Sequence, residues 1–200
     1  MTVRLFIEGG GEGQLLDAAF RRAWASFFRA AGLDGHLPRV VRGRGRQRTY
    51  ELFVDAVEHP RSGESPMLLL DSETPMGEVA TVWDHLRQSD GFRRPAGTTD
   101  DQAHLMVQVM ETWLIADVTA MRAVFGPRFN DRGLSALPNL EAISKERIFA
   151  ALNQATRRCD LRYSKGIVSF RLLERVDPTI VRSRCRHASA LLNAIASRRG

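Results

Sequence analysis

Four apolar residues in a row, Met67-Leu68-Leu69-Leu70, run straight into Asp71-Ser72-Glu73. So short a run with no polar period reads as a buried strand, and such strands belong to sheets covered by helices. A second segment, Val3-Arg4-Leu5-Phe6-Ile7, ends the same way, at Glu8-Gly9-Gly10-Gly11-Glu12-Gly13. The carboxyl ends of neighbouring parallel strands open on one crevice. Glu8, Glu12, Asp71 and Glu73 are therefore predicted to gather there. Asp71 and Glu73 are two residues apart, and in extended backbone both side chains point the same way.

Like charges in a crevice repel unless something neutralises them. Mg²⁺ or Mn²⁺ does so, with water and a substrate phosphate completing the shell. The plainer alternative is a set of solvated loop carboxylates that merely stop two strands; local pattern leaves both open. Met110-Glu111-Thr112 also follows an apolar run, so Glu111 is predicted to reach the crevice from a helix start. Asp117 should face another direction, towards a basic side chain or as the cap of a local turn, and Trp113 reads as core. The glycine turn after Ile7 lacks the lysine and hydroxyl residue of a phosphate-binding P-loop.

The remaining pattern predicts helices over 15–31, 50–58, 79–88, 111–125, 145–156, 167–176 and 180–197. The first carries an apolar stripe from Leu16 to Phe28 and stops at Gly32. Strands are expected over 3–7, 37–41, 67–70 and 105–109, the second of them at an edge or starting at Pro38. Residues 126–140 read as irregular. This divides the chain into an α/β core over 1–130 and a helical C-terminal region over 131–200 packed on it. Those last helices either cover one side of the sheet or make a dimer. Arg42-Gly43-Arg44-Gly45-Arg46-Gln47-Arg48 reads as an exposed, mobile loop. Arg42, Arg44, Arg46 and Arg48 then either clamp backbone phosphates or simply stay solvated.

The formal net charge of +6 suits an anionic partner such as nucleic acid. Cys159 and Cys185 read as reduced thiols of a cytoplasmic protein. Neither a secretory signal nor a membrane-spanning run is expected. The five histidines have no zinc-ligand spacing, and His104, beside a strand, reads as structural.

Ile7-Glu8-Gly9-Gly10-Gly11-Glu12 and Leu70-Asp71-Ser72-Glu73 resemble the Toprim pattern, a glutamate after the first strand and an acidic pair after a later one. The fuller layout resembles the DUF4276 family of Toprim-like proteins. The opening glutamate-glycine pair with its following glutamate is matched by Glu8, Gly9 and Glu12. A later segment is matched by Glu111, Trp113, Leu114, Ala116 and Asp117, and another by Tyr163-Ser164-Lys165-Gly166 with Leu172-Leu173-Glu174-Arg175 and Asp177-Pro178. The resemblance covers most of the chain. It implies a Toprim-like, mostly parallel sheet flanked by helices, related to the Toprim domains of overcoming-lysogenization-defect nucleases. It also implies a Mg²⁺ site of Glu8, Asp71 and Glu73, with Glu12 and Glu111 serving a second ion. Glu73 stands where the Toprim pair ends in aspartate, and its longer arm moves the carboxylate outward.

The expected activity is metal-dependent hydrolysis of phosphodiester bonds in nucleic acid, in a bacterial-defence setting. Lys165 would contact phosphate near the metal; a salt bridge is the other reading. The alternatives are a non-catalytic nucleic-acid or protein-binding component of a defence complex, and a phosphatase or nucleotidyl-transfer enzyme acting on a small nucleotide.

Overall fold

The computed structural model describes residues 1–77, 81–135 and 137–198. Strands β1 (Thr2–Ile7), β2 (Arg39–Arg42), β3 (Glu64–Asp71) and β4 (Ala103–Met106) form one all-parallel sheet in the order β2-β1-β3-β4. Alternation along the strands sends residues to two cores. Val3, Leu5 and Ile7, with Met67, Leu69 and Met106, face helix α1 (Gln14–Phe28). Phe6, Leu68, Leu70 and Leu105 face α2 (Arg46–Glu58) and α3 (Val82–Asp90) on the other side. Both faces are covered, which is why β3 reads as an unbroken apolar run rather than an alternating one.

The first core extends through the helices that follow β4. These are α4 (Met110–Leu114), α5 (Val118–Phe125), the short α6 (Arg132–Ser135), α7 (Lys145–Thr156), α8 (Ile167–Leu173), α9 (Pro178–Arg184) and α10 (Arg186–Ser197). Trp113 on α4 is fully buried between Trp24 and Phe27 of α1, with ring centroids 6.1 and 5.9 Å away. Phe170 on α8 meets Phe20 edge to face at 5.5 Å. The aromatic stripe of α1 thus seats α4 and α8, and both carry crevice residues. Among the described residues no helix is long and apolar enough to cross a membrane.

Several elements differ from the sequence pattern, each for a local reason. The helix expected over 111–125 is two helices. Asp117 accepts from Ala120 N and from Asp177 N, both at 3.0 Å, so it starts α5 afresh and competes with continued helix. The helix expected over 180–197 breaks at Cys185, which is extended, while Asp177 caps α9 with Pro178 in its first turn. β4 stops at Met106, short of the expected 109. Of the helix expected over 79–88, Val79 and Ala80 lie outside the described residues; α3 starts after Thr81, whose side chain accepts from Asp84 N.

The largest correction concerns residues 42–48. They are not a mobile loop. Arg42 is the last residue of β2, and α2 begins at Arg46, four residues before the expected start. Gly43 makes the bend possible: a Cβ there would lie 1.9 Å from Thr49 Oγ1 and 2.6 Å from Thr49 Cα. The pattern hid this start because α2 opens on Arg-Gln-Arg without an acidic residue, opposite to what the helix dipole favours.

His104 lies in β4 with its ring buried and Nε2 donating to Asp101 O at 3.0 Å. Burial pulls its pKa from 6.5 down to about 4. A depressed histidine pKa stabilises the fold fully above the unfolded value, and that stability is lost as pH falls from about 6.5 towards 4. The expected loss is on the order of 3 kcal/mol. Urea unfolding at pH 7 and pH 4 should show it in the parent and not in His104→Gln; equal acid losses in both would rule His104 out as the cause.

Candidate active site at the carboxyl end of the sheet

The strand register puts the acidic residues side by side. Ile7 of β1 pairs with Leu69 of β3, and Glu8 N donates to Leu69 O at 3.0 Å. Asp71 is level with Met106 of β4. Asp71 N donates to Glu8 Oε2 at 3.3 Å, so the two residues touch directly. Asp71 Oδ1 accepts from Met110 N at 2.8 Å, which binds the start of α4 to the end of β3.

A cavity of about 410 Å³ opens here. Glu8, Asp71, Glu73 and Glu111 line it, with Gly9, Gly10 and Gly11 along one side and Lys165, Gly166 and Ser169 along another. The predicted meeting of acidic residues from both strand ends and the start of α4 is therefore present. Glu12 is the exception: it is exposed on the turn before α1 and does not line the cavity. Gly11 has φ +81°, and a Cβ on it would meet Leu16 at 2.8 Å, so the turn is built for glycine.

Each carboxylate has its own restraint. Glu8 Oε2 accepts from Arg46 at 3.2 Å. Glu73, at φ 63° in the left-handed region, sends Oε2 to Lys145 Nζ at 2.6 Å. Glu111 is 2 % exposed and accepts a hydrogen bond from the Tyr163 hydroxyl, with Ser169 Oγ 3.1 Å from that hydroxyl. Among the described residues, no three histidine, cysteine, aspartate or glutamate side chains sit close enough together to hold a metal ion. The carboxylates share a cavity but are drawn apart by basic and hydroxyl partners.

Their charges still act on one another. Asp71 is pushed well above the ordinary carboxylate range, first by burial, then by Glu8, Glu111 and Glu73. Glu8 is also raised by burial, against the opposing pull of Arg46 and of Asp71 N–H. Tyr163 is raised by burial and by Glu111, so its hydroxyl keeps the proton it donates.

The four arginines fall into two kinds. Arg42 lies inward, donating to Asp17 and to the carbonyls of Gly10 and Gly11. Arg46 also points in: it grips Asp90 with Nε and a second nitrogen, and donates to Glu8 and to Asp71 O. Arg44 pairs with Asp17 at 3.2 Å and Arg48 with Glu51 at 3.5 Å, both more than half exposed. Lys165 has its Nζ 4.6 Å from the Phe149 ring centroid and reaches the cavity with no ion pair among the described residues.

Sequence reasoning gave no role to Lys145, Ser169 or Tyr163. Tyr163, between α7 and α8, is 52 residues from Glu111, and the packing of these two helices on α4 brings them together. No curated protein and no solved structure matches this chain. A family model described as a domain of unknown function, DUF4276, matches residues 7–196, nearly the whole chain, from the last residue of β1 into the last helix, and the chain belongs to that family.

Proposed function

We propose that the protein is a divalent-metal-dependent nuclease of Toprim-like kind that hydrolyses phosphodiester bonds in nucleic acid, in a bacterial-defence setting. The observation that carries this reading is Asp71. A half-buried carboxylate on a cavity wall, pushed upward by desolvation and then by three neighbouring carboxylates, is an electrostatic liability that a stability-driven site would have removed. Oxygen donors of this kind fit Mg²⁺ or Mn²⁺. Glu8 and Asp71 are in contact and would hold the ion, and Glu73 would join on leaving Lys145. When bound, such an ion polarises a phosphoryl oxygen and stabilises the leaving oxygen. Lys165 would take a non-bridging phosphate oxygen. Tyr163 keeps Glu111 in place at the cavity wall. The glycine backbone of residues 9–11 leaves room for a substrate to approach.

The separation of the carboxylates favours one rival, a non-catalytic component of a defence complex that binds nucleic acid or protein and uses the acidic pocket weakly. Calorimetry with Mn²⁺ and Mg²⁺ decides between them, run on the parent, Glu8→Gln and Asp71→Asn beside a cleavage assay on DNA and RNA. The nuclease reading expects a clear isotherm for the parent, an affinity loss of more than about tenfold in each variant, and loss of cleavage with it. Parent binding that neither variant changes would remove the crevice as the site. No binding and no cleavage by the parent would favour the interaction module.

A further inference from the structure

Helix α7 connects the acidic crevice to a basic cavity at its far end. Its first residue, Lys145, holds Glu73. Its last turn leads into Arg157 and Arg158, which with Arg128 and Arg132 line a cavity of about 490 Å³. The acidic residues nearby are already neutralised, Asp160 by Arg128 and Asp131 by Arg122. Arg132, Arg157 and Arg158 are exposed, and their side chains are in no ion pair among the described residues.

The helix between the two ends offers a track. Its 12 residues span about 18 Å at 1.5 Å each. Arg147, Ala150 and Gln154 are spaced three and four apart, so they share one face, and Arg158 follows two residues past the end of the helix. Ala150 is exposed, as are the other three, while Ile148, Leu152 and Ala155 are buried on the opposite face. Arg147 puts a positive charge on this face near the crevice and Arg158 another just past its far end; Glu146, four residues before Ala150, is the one negative charge on it. By contrast, Arg42 and Arg46 are committed to protein partners and offer a passing phosphate little.

We propose that Arg132, Arg157 and Arg158, in the cavity that Arg128 helps to wall, bind the phosphodiester backbone of nucleic acid and lead the strand along α7 to the crevice. This rests on the nuclease reading of the crevice. With one phosphate per about 3.4 Å of strand, the track covers about five phosphates. Contacts of this kind position a strand without reading its sequence, and binding falls steeply with salt.

The test is fluorescence anisotropy with a labelled DNA oligonucleotide in EDTA, over a salt series. The parent is compared with Arg132→Gln/Arg157→Gln/Arg158→Gln. A control of equal charge change carries Arg21→Gln/Arg61→Gln/Arg93→Gln, at exposed positions elsewhere. The track variant should lose about tenfold or more in affinity, and its salt slope should fall by about two to three, while the control loses far less. Equal losses in the two variants would overturn the proposal, because net charge alone would explain them. A parent that fails to bind the oligonucleotide would overturn it too. Calorimetric Mg²⁺ binding by the same proteins keeps the failures apart: it reports on the crevice and should be unchanged in the track variant.

Discussion

Asp71→Asn should make the metal-free protein more stable. Asparagine keeps the oxygen that accepts from Met110 N, and it removes a charge that Glu8, Glu111 and Glu73 all oppose. The gain is expected at about 1–2 kcal/mol, a rise of about 3–6 °C in melting temperature for a chain of this size. The sign follows from the direction of the shift. A carboxyl raised in the folded state contributes stability that is present below its unfolded pKa and lost as pH rises through the folded one. The parent and Asp71→Asn should therefore melt alike near pH 4 and separate progressively above it. Added Mg²⁺ should reverse their order, because an ion bound only by the folded parent stabilises it by mass action. Thermal melts with EDTA and with excess Mg²⁺ check both halves. A variant that is less stable than the parent in EDTA at neutral pH would mean that Asp71 is a structural carboxylate, and would take away the main support for the nuclease reading.

The same residues show how far sequence alone reaches. β3 and β1 were legible because both faces of each strand are buried, leaving a short apolar run with no competing period. The approach of Glu8 to Asp71 was legible because parallel neighbours share one carboxyl end. The restraints on the carboxylates were not. Lys145 lies 72 residues from Glu73 and Tyr163 lies 52 from Glu111; each pairing depends on where a later helix packs, and no local pattern encodes that. Glu12 failed for the opposite reason: a glycine turn allows many directions, and here it points outward. Asp117 shows a signal that was present and only half used. An aspartate within an apolar helical pattern is a capping residue as readily as a passenger, and the break between α4 and α5 follows from it.

Replacing Arg46 by methionine should cost about 3 kcal/mol of stability, whereas Arg48→Met should cost almost nothing. Both residues lie in one basic run, and the sequence offers them equal roles. The structure separates them. Arg46 is a half-buried strut between two layers: it grips Asp90 at the end of α3, Glu8 after β1 and the carbonyl of Asp71. Methionine fills the space of the stem but leaves Glu8 and Asp90 without their shared partner, and a buried carboxylate stripped of its cation is strongly destabilising. Arg48 meets Glu51 on an open helix face, where such pairs are worth little. Lysine at position 46 should recover only part of the loss, since it cannot grip Asp90 with two nitrogens. Arg46 holds Asp90 below the ordinary carboxylate range; that contribution is present above the unfolded pKa and lost as pH falls through the folded one. The gap between parent and Arg46→Met should therefore be full at neutral pH and shrink below about pH 4. Denaturant melts of the three variants across that range make the test. If Arg46→Met melts like the parent but binds oligonucleotide more weakly, Arg46 is a phosphate clamp after all, and the crevice is held together by something other than this strut.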